Sequence, residues 1–337
     1  MMTAPSSTLA AAVPHGTDRV VRYCLSICLL VAAAPVIGAA WPGGPAEFEL
    51  AAHFLVQSAL LSALLLLVGV LTGRRYIVLV VTALLTATAL ILTPHVFPGW
   101  APLYAVARQE PASDPFPQLR IYFHNAWAGS GDAVATVDAA LSSDADLVMF
   151  AETGASRWRS FARLTGSYPH HISCIGRREC DLTLFSRLPV HDQVIYHDRH
   201  SGARGIAATL DDGRNGRLRV VAVHLARPIP PDSLEVQMRQ VEALLRSDLF
   251  RPDLPVLLMG DFNAVPWGRV VGTFARGLQL RPAGGIEGSW PSFLPQPLRI
   301  RIDQALVSPD VKVLDQTLGA GSGSDHRSLS ITIGPAR

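Results

Sequence analysis

The chain has 337 residues and a formal net charge of +2; 17% of its residues are charged and 49% are hydrophobic. That length admits one large domain with a smaller part beside it, and a charge so near zero gives no electrostatic case for a nucleic-acid partner. Mean hydropathy is positive, and the apolar excess is concentrated ahead of residue 98. Lys312 is the only lysine, so nearly all the positive charge is arginine.

Three apolar runs fill the N-terminal part: about Arg22 to Trp41, Ala51 to Thr72 and Tyr76 to Phe97. Each is near the ~20 residues that cross a hydrocarbon core at ~1.5 Å per residue. None holds an acidic or basic residue in its interior or shows the polar stripe of a half-exposed helix, so three transmembrane helices are expected. The first run alone resembles a cleaved signal, with Arg19 and Arg22 ahead of it, but the two spans behind it favour an anchor. Arg19, Arg22, Arg74 and Arg75 place their ends of the helices in the cytoplasm, which leaves everything after Phe97 outside. The expected organisation is a cytoplasmic tail at 1–19, a membrane region at 20–98, a Pro-rich linker at 99–117 and an extracytoplasmic domain at 118–334. Cys174 and Cys180 are able to bridge in that compartment.

Beyond the linker, strands are expected at "LRIYFHNAW", "ADLVMFAET", "CDLTLFSRLPV", "GIAATLDD", "RLRVVAVHLA", "PVLLMGDFN", "IRIDQALVS", "VKVLDQTLG" and "SLSITI". Helices are expected at Gly131–Ser142 and at Ser233–Leu249, where Leu234, Met238, Val241, Leu244 and Leu245 recur at helical spacing. Strands outnumber helices and several lack a helical crossover. The expected class is therefore α/β, with mixed sheets flanked by helices.

Six strand ends carry side chains suited to a cation or a phosphate: Asn125, Glu152, His224, Asp261 with Asn263, Asp303, and Asp325 with His326. One such end is what any turn favours; six imply a site assembled at a sheet edge. Hard oxygen donors without zinc-type Cys/His spacing point to Mg²⁺ or Mn²⁺. No Walker loop, dinucleotide fingerprint or Gly-x-Ser-x-Gly elbow competes. The Gly321-Ser322-Gly323-Ser324 run is expected to be a turn that brings backbone close to the site. Trp127, Trp267 and Trp290 are expected either to pack or to line a cleft. His170, His171, His191, His197 and His200 are expected at the surface or in loops, and Arg177, Arg178, Arg299 and Arg301 on a solvated face.

"GDFN" at 260–263, Asp303 in "IDQALV" and "SDH" at 324–326, in order with Asn125, Glu152 and His224, resemble the endonuclease/exonuclease/phosphatase (DNase I-like) superfamily over about residues 118–334. The resemblance implies a four-layer sandwich of two mixed sheets and a divalent-metal-dependent phosphoester hydrolase. It implies Glu152 as principal metal ligand with Asn125 and Asp325, Asp261 as the group that orients or deprotonates water, and Asn263 and His224 as donors to phosphate. It also implies His326 facing phosphate with Asp303 fixing its tautomer. The chain departs from the pattern at Ala151, where many relatives carry Gln, and at Asp181, where many carry Gly. Combined with the extracytoplasmic location, it suggests a phosphatase or phosphodiesterase on a lipid-linked or small phosphate. A nuclease is the second reading and a non-catalytic binding module the third; no obligate protein partner is inferred.

Overall fold

Two helices, α1 (His15–Ala40) and α4 (Arg75–Val96), are long and apolar enough to cross a membrane. The structure is a computed structural model and describes residues 15–97, 116–174, 181–211 and 216–336. Between these helices, α2 (Ala46–Ala52) and α3 (Leu55–Leu71) meet at a 73° bend. The expected continuous span from Ala51 to Thr72 is therefore broken. Among the described residues the spans number two, or three only if the bent pair is taken as one. The break has a visible cause. The Ala52 carbonyl accepts the Trp267 indole N–H at 2.8 Å, and the His53 ring lies between the carbonyls of Glu49 (3.1 Å) and Asn263 (3.4 Å). Groups that would carry the helix onward are engaged by the second half of the chain. The 17 residues of α3 make about 26 Å of helix, at the short end of the ~17–25 residues that span a bilayer.

The second half alternates short strands and helices: β1 (Leu119–Asn125), α5 (Ala133–Ser142), β2 (Leu147–Ala151), α6 (Trp158–Phe161), β3 (His170–Ser173), β4 (Thr183–Ser186), β5 (Val190–His197), β6 (Arg204–Asp211) and β7 (Arg217–His224). There follow α7 (Leu234–Leu245), β8 (Val256–Asp261), α8 (Arg269–Gly277), β9 (Arg281–Pro282), β10 (Asp303–Val307), β11 (Val311–Leu318) and β12 (Leu329–Pro335). Asp132 caps α5 by accepting from Val134 and Ala135 N–H, and Ser233 caps α7 by accepting from Val236 N–H, the roles short polar side chains take at helix starts.

Among the described residues the strands form two six-stranded sheets, in the orders β11-β12-β1-β2-β4-β3 and β5-β6-β7-β8-β10-β9. Each sheet holds one parallel pair, β1 with β2 and β7 with β8, joined through α5 and α7; the other pairs are antiparallel. Strand periodicity of two divides the side chains between layers. Ile121, Phe123, Leu147 and Met149 meet Val220, Ala222, Leu257 and Met259 between the sheets. On the outer faces Tyr122 and Val148 pack with α5, and Leu258 and Val221 with α7 and α8. Phe116, two residues ahead of the expected domain start, already lies in the inter-sheet core.

Several expectations are revised. "CDLTLFSRLPV" is not one strand: β4 ends at Ser186 in one sheet and β5 begins at Val190 in the other, so the segment crosses between layers. The α7 helix stops at Leu245, four residues short of the expected Leu249. His170 and His171 lie in β3, and His191 and His197 in β5, both edge strands. Arg301 is 3% exposed instead of solvated, and burial lowers its pKa to about 10. Arg177, Arg178 and Cys180 fall outside the described residues, as does the expected linker up to residue 115; Cys174 is disulfide-bonded.

The helices are docked on the sandwich. Glu49, 3% exposed, accepts the Arg269 backbone N–H at the start of α8 (2.5 Å), while the Arg269 guanidinium bonds the Pro42 and Gly44 carbonyls. A Cβ on Gly268 would stand 2.6 Å from the Glu49 carboxylate, so this contact requires glycine. Gln57 donates to Pro297 and Arg299 O, and Gly285 N donates to His95 O. Trp267 and Val265 fill the joint against Val36, Ala39, Ala52 and Leu55. Trp267→Ala should cost about 3–5 kcal/mol of stability in denaturant unfolding of the full chain in detergent, with faster amide exchange across α2.

Candidate active site

The sheet topology brings the polar strand ends to one edge. Parallel strands finish together, which places Asn125 at the end of β1 near Glu152 just after β2, and pairs His224 with Asp261 at the ends of β7 and β8. An antiparallel neighbour starts where its partner stops. Asp303 therefore pairs with Asp261 at the start of β10, and Asp181 and His326 fall just ahead of β4 and β12 at the same edge. All eight of the expected site residues gather here, and six of them, all but Asn125 and Asp303, line one cavity, while those two contact Asp261 and His326 from behind.

Asp261, 1% exposed, is the hub. Its Oδ2 accepts from Asn125 Nδ2 at 2.9 Å and lies 3.8 Å from both His224 Nε2 and His326 Nε2; its Oδ1 accepts the Asn263 backbone N–H at 2.8 Å. Each imidazole is backed by another carboxylate, His326 Nδ1 by Asp303 at 2.9 Å and His224 Nδ1 by Asp181 at 2.8 Å. Carboxylates only accept in the ionised state, so both rings carry hydrogen on Nδ1 and turn Nε2 toward Asp261. Burial disfavours the charged form of either ring, but the neighbouring carboxylates prevail. With Asp303 and Asp261 beside it, His326 rises to about 10, and with Asp181 and Asp261 beside it, His224 rises to about 9. Burial also raises Asp261 to about 6; Asp303 adds to this shift and the two imidazoliums oppose it.

Glu152 stands on the other side of Asn125, whose Nδ2 also donates to its Oε1 at 3.0 Å. The Asn125 oxygen is taken by the Trp127 N–H at 2.9 Å, so Asn125 presents a donor that ties two carboxylates together. Glu152 (φ 55°), Trp127 (φ 51°) and Asn263 (φ 47°) all occupy the left-handed region. Asn tolerates this conformation, whereas Glu and Trp are strained by on the order of 1–3 kcal/mol and must be held. Arg157 holds that turn, donating to the Glu152, Ala126 and Gly131 carbonyls at 2.8–3.1 Å. Asn263 directs its side-chain amide to Leu225 O at 2.9 Å.

Asp325 lines the same cavity, and its Oδ2 accepts from Trp290 Nε1 at 2.9 Å while its Oδ1 is buried without a partner. The expected Gly-Ser turn does bring backbone close. Gly323 has φ 83°, its carbonyl accepts Asp132 N–H at 2.7 Å, and Ser324 Oγ donates to Asn125 O at 2.6 Å. Trp127 and Trp290 line the cavity, whereas Trp267 packs in the helix joint.

Two residues were not anticipated at the site. In the sequence Asp181 stands out only as a departure from a family glycine; its place at the head of β4, antiparallel to β2, is the available signal. His124 is fully buried beneath the site, and burial lowers its pKa to about 4. Neutral, it donates from Nε2 to the His326 carbonyl (3.1 Å) and accepts the Tyr122 hydroxyl at Nδ1 (3.2 Å). A histidine inside a strand gave no sequence signal for this.

A divalent cation fits the residues present. Glu152, Asp261 and Asp325 supply hard oxygens, and the partnerless Asp325 Oδ1 is an acceptor that a cation would satisfy. Carboxylate and imidazole atoms of Glu152, His224 and Asp261 lie within 4.8 Å of one another, as do those of Asp261, Asp303 and His326.

The model of the Endonuclease/Exonuclease/phosphatase family matches residues 123–326. Among solved structures, the chain resembles an endonuclease/exonuclease/phosphatase from Beutenbergia cavernae at 18% identity, covering 66% of this chain and 72% of that one with a TM-score of 0.52. It resembles the human Nocturnin catalytic domain with bound sulfate at 17% identity, covering 68% and 100% with a TM-score of 0.51. D. rerio TDP2 complexed with a single-strand DNA product is similar at 16% identity, covering 64% and 98% with a TM-score of 0.50. At such identities the likeness speaks for the fold. No curated protein matches the chain.

Both imidazole pKa values are raised above the ordinary 6.5, so their contribution to stability is complete below that pH and lost as pH rises through about 9 and about 10. In metal-free protein, ¹³C NMR of labelled imidazoles should find His326 still charged at pH 8. Asp303→Asn should bring its midpoint down toward the ordinary range.

Proposed function

The chain belongs to the Endonuclease/Exonuclease/phosphatase family of phosphoester hydrolases, and we propose that it is a divalent-metal-dependent member held in the cytoplasmic membrane with its catalytic domain outside. Its substrate on this reading is a lipid-linked or small phosphate, cleaved as a phosphatase or phosphodiesterase. One observation carries the chemistry: Asp261 lies between two imidazoles, each backed by its own carboxylate.

In this reading Glu152 and Asp325, with Asn125 beside them, hold Mg²⁺ or Mn²⁺, which when bound neutralises charge on the phosphoryl oxygens. Asp261 accepts a proton from the attacking water at its Oδ2, a role suited to a carboxylate raised to about 6. His224 and His326 offer N–H⁺ donors from Nε2 to the equatorial oxygens, where charge builds during in-line displacement. Asn263 adds an amide donor. Asp303 and Asp181 keep each ring in the tautomer that leaves Nε2 facing the cavity, and so act by positioning.

The location rests on the arrangement of the helices. The ends of α1 and α4 and the start of α3 adjoin the catalytic domain, and Arg19, Arg22, Arg74 and Arg75 stand at the opposite ends. Arginine on the cytoplasmic side puts the domain outside, where phospholipids and lipid pyrophosphates are at hand and chromosomal DNA is not.

The test uses the full chain in detergent. Bis-p-nitrophenyl phosphate should be hydrolysed with Mg²⁺ or Mn²⁺ and not with EDTA. Glu152→Ala and Asp261→Asn should each lower kcat by about 10²–10⁴-fold, and Asp181→Asn by about 10–100-fold. Phosphate release from a prenyl pyrophosphate with no nicking of plasmid DNA supports the lipid reading, and the reverse result supports a nuclease. Activity unchanged in Glu152→Ala overturns the assignment, and a reporter fused after residue 98 that works only in the cytoplasm overturns the location.

A further inference from the structure

The cavity over the candidate site, about 960 Å³, is not built by the catalytic domain alone. Leu50 and His53 from the end of α2 and Phe54 from the bend line it together with Glu152, Asp261 and His326. A phosphoryl group needs only a small part of that space, which lies at the top of the ~300–1,000 Å³ range of sites for whole small molecules.

The part of the remaining wall that lies beside the helices is apolar, while Arg204, Arg227, Asp232 and Gln240 line the other side. His53 contacts the Asn263 carbonyl, which puts its neighbour Phe54 one residue from the phosphate-facing loop. Gln57, one turn further along α3, donates to Arg299 O and so brings that helix against Ile300, which also lines the cavity. Ile229 completes the set from the loop after β7. Phe54 is 53% and Ile229 46% exposed, so both present apolar surface that nothing in the protein covers among the described residues. These side chains have no part in the hydrolytic chemistry, yet they are continuous with it in one cleft.

Resting on the hydrolase reading above, we infer that the α2–α3 bend forms an apolar subsite of the active site. It receives the hydrocarbon chain of an amphiphilic phosphoester along Leu50, Phe54, Ile229 and Ile300 while the phosphoryl group lies among Glu152, Asp261 and His326. The helices thereby contribute to substrate selection as well as anchoring. The wall's helical part belongs to α2 and the bend; α2 packs on α1 and the following α3 packs on α4, the two bilayer-length helices, and this argues for an alkyl chain as the occupant. Seating each methylene there is worth about a fourfold gain in affinity.

The experiment compares methyl p-nitrophenyl phosphate with dodecyl p-nitrophenyl phosphate, using the full chain in nanodiscs with Mg²⁺ or Mn²⁺. Both have the same leaving group and the same scissile bond, so the ratio of their kcat/KM values isolates the chain. The wild type should favour the dodecyl ester by a factor of about 100 or more. Phe54→Ser and Ile229→Ser should each lower the ratio about tenfold, with Phe54→Leu restoring most of it. Leu79→Ala, on the exposed face of α4, controls for partition into the bilayer and should leave the ratio unchanged. A wild-type ratio near one with measurable methyl ester hydrolysis overturns the subsite and leaves the hydrolase reading standing. A ratio that the Phe54 and Ile229 variants do not move has the same effect. Folded protein that hydrolyses neither ester overturns the hydrolase reading and the subsite with it.

Discussion

Carboxylates do not gather in a buried cleft unless something offsets their repulsion. Here Asp181, Asp261 and Asp303 surround two imidazoles, so that each ring touches one carboxylate at Nδ1 and faces the shared Asp261 at Nε2. Opposite charges 3.8 Å apart attract by on the order of 4 kcal/mol at an effective dielectric near 20. That is the scale needed to hold imidazoles charged against the burial that opposes it. The arrangement is nearly two-fold about Asp261, with one ring from each side. Its supports extend outward: the Asp303 N–H donates to Ser289 Oγ, the His326 N–H donates to Ser324 Oγ, and Arg204 forms an ion pair with Asp181 at 3.6 Å.

That charge balance depends on strand register. A one-residue slip between β8 and β10 would carry Asp303 to the opposite face of its sheet, away from His326. The mixed sheets serve the same end, since a parallel pair supplies two finishing strands and its antiparallel neighbours supply starting ones at the same edge.

Much of this was legible in the sequence because strand ends are marked twice, by the stop of an apolar run and by a chemically distinctive residue. "LLMGDFNA" carries both marks, and Asp261 and Asn263 are found where that pattern put them. Asp181 carried only one: the strand after it is four residues long and its other flank lies beside residues outside the described set. The crossing from β4 to β5 was hidden because "LPV" continues the apolar pattern across a turn, and periodicity does not report which sheet a residue joins. The nine-residue α8, with glycine at 272 inside it and at 277 closing it, gave too short a helical pattern to stand out. The bend at His53 was illegible for a different reason. Nothing local breaks that apolar run; Trp267 and Asn263, more than two hundred positions away, do so by capturing the Ala52 carbonyl and the His53 imidazole.

The Glu49–Arg269 contact, the Gln57 amide and the Gly285–His95 link fasten the sandwich to three different helices. A body fixed at three points has no swivel, so the tilt of the cleft relative to the helix axes is set when the chain folds. On the membrane-held reading proposed above, such rigidity turns height above the lipid surface into a heritable dimension of the molecule. Membrane thickness and headgroup bulk then become variables its reaction rate can feel, and encounters are counted per unit of area, not per unit of volume.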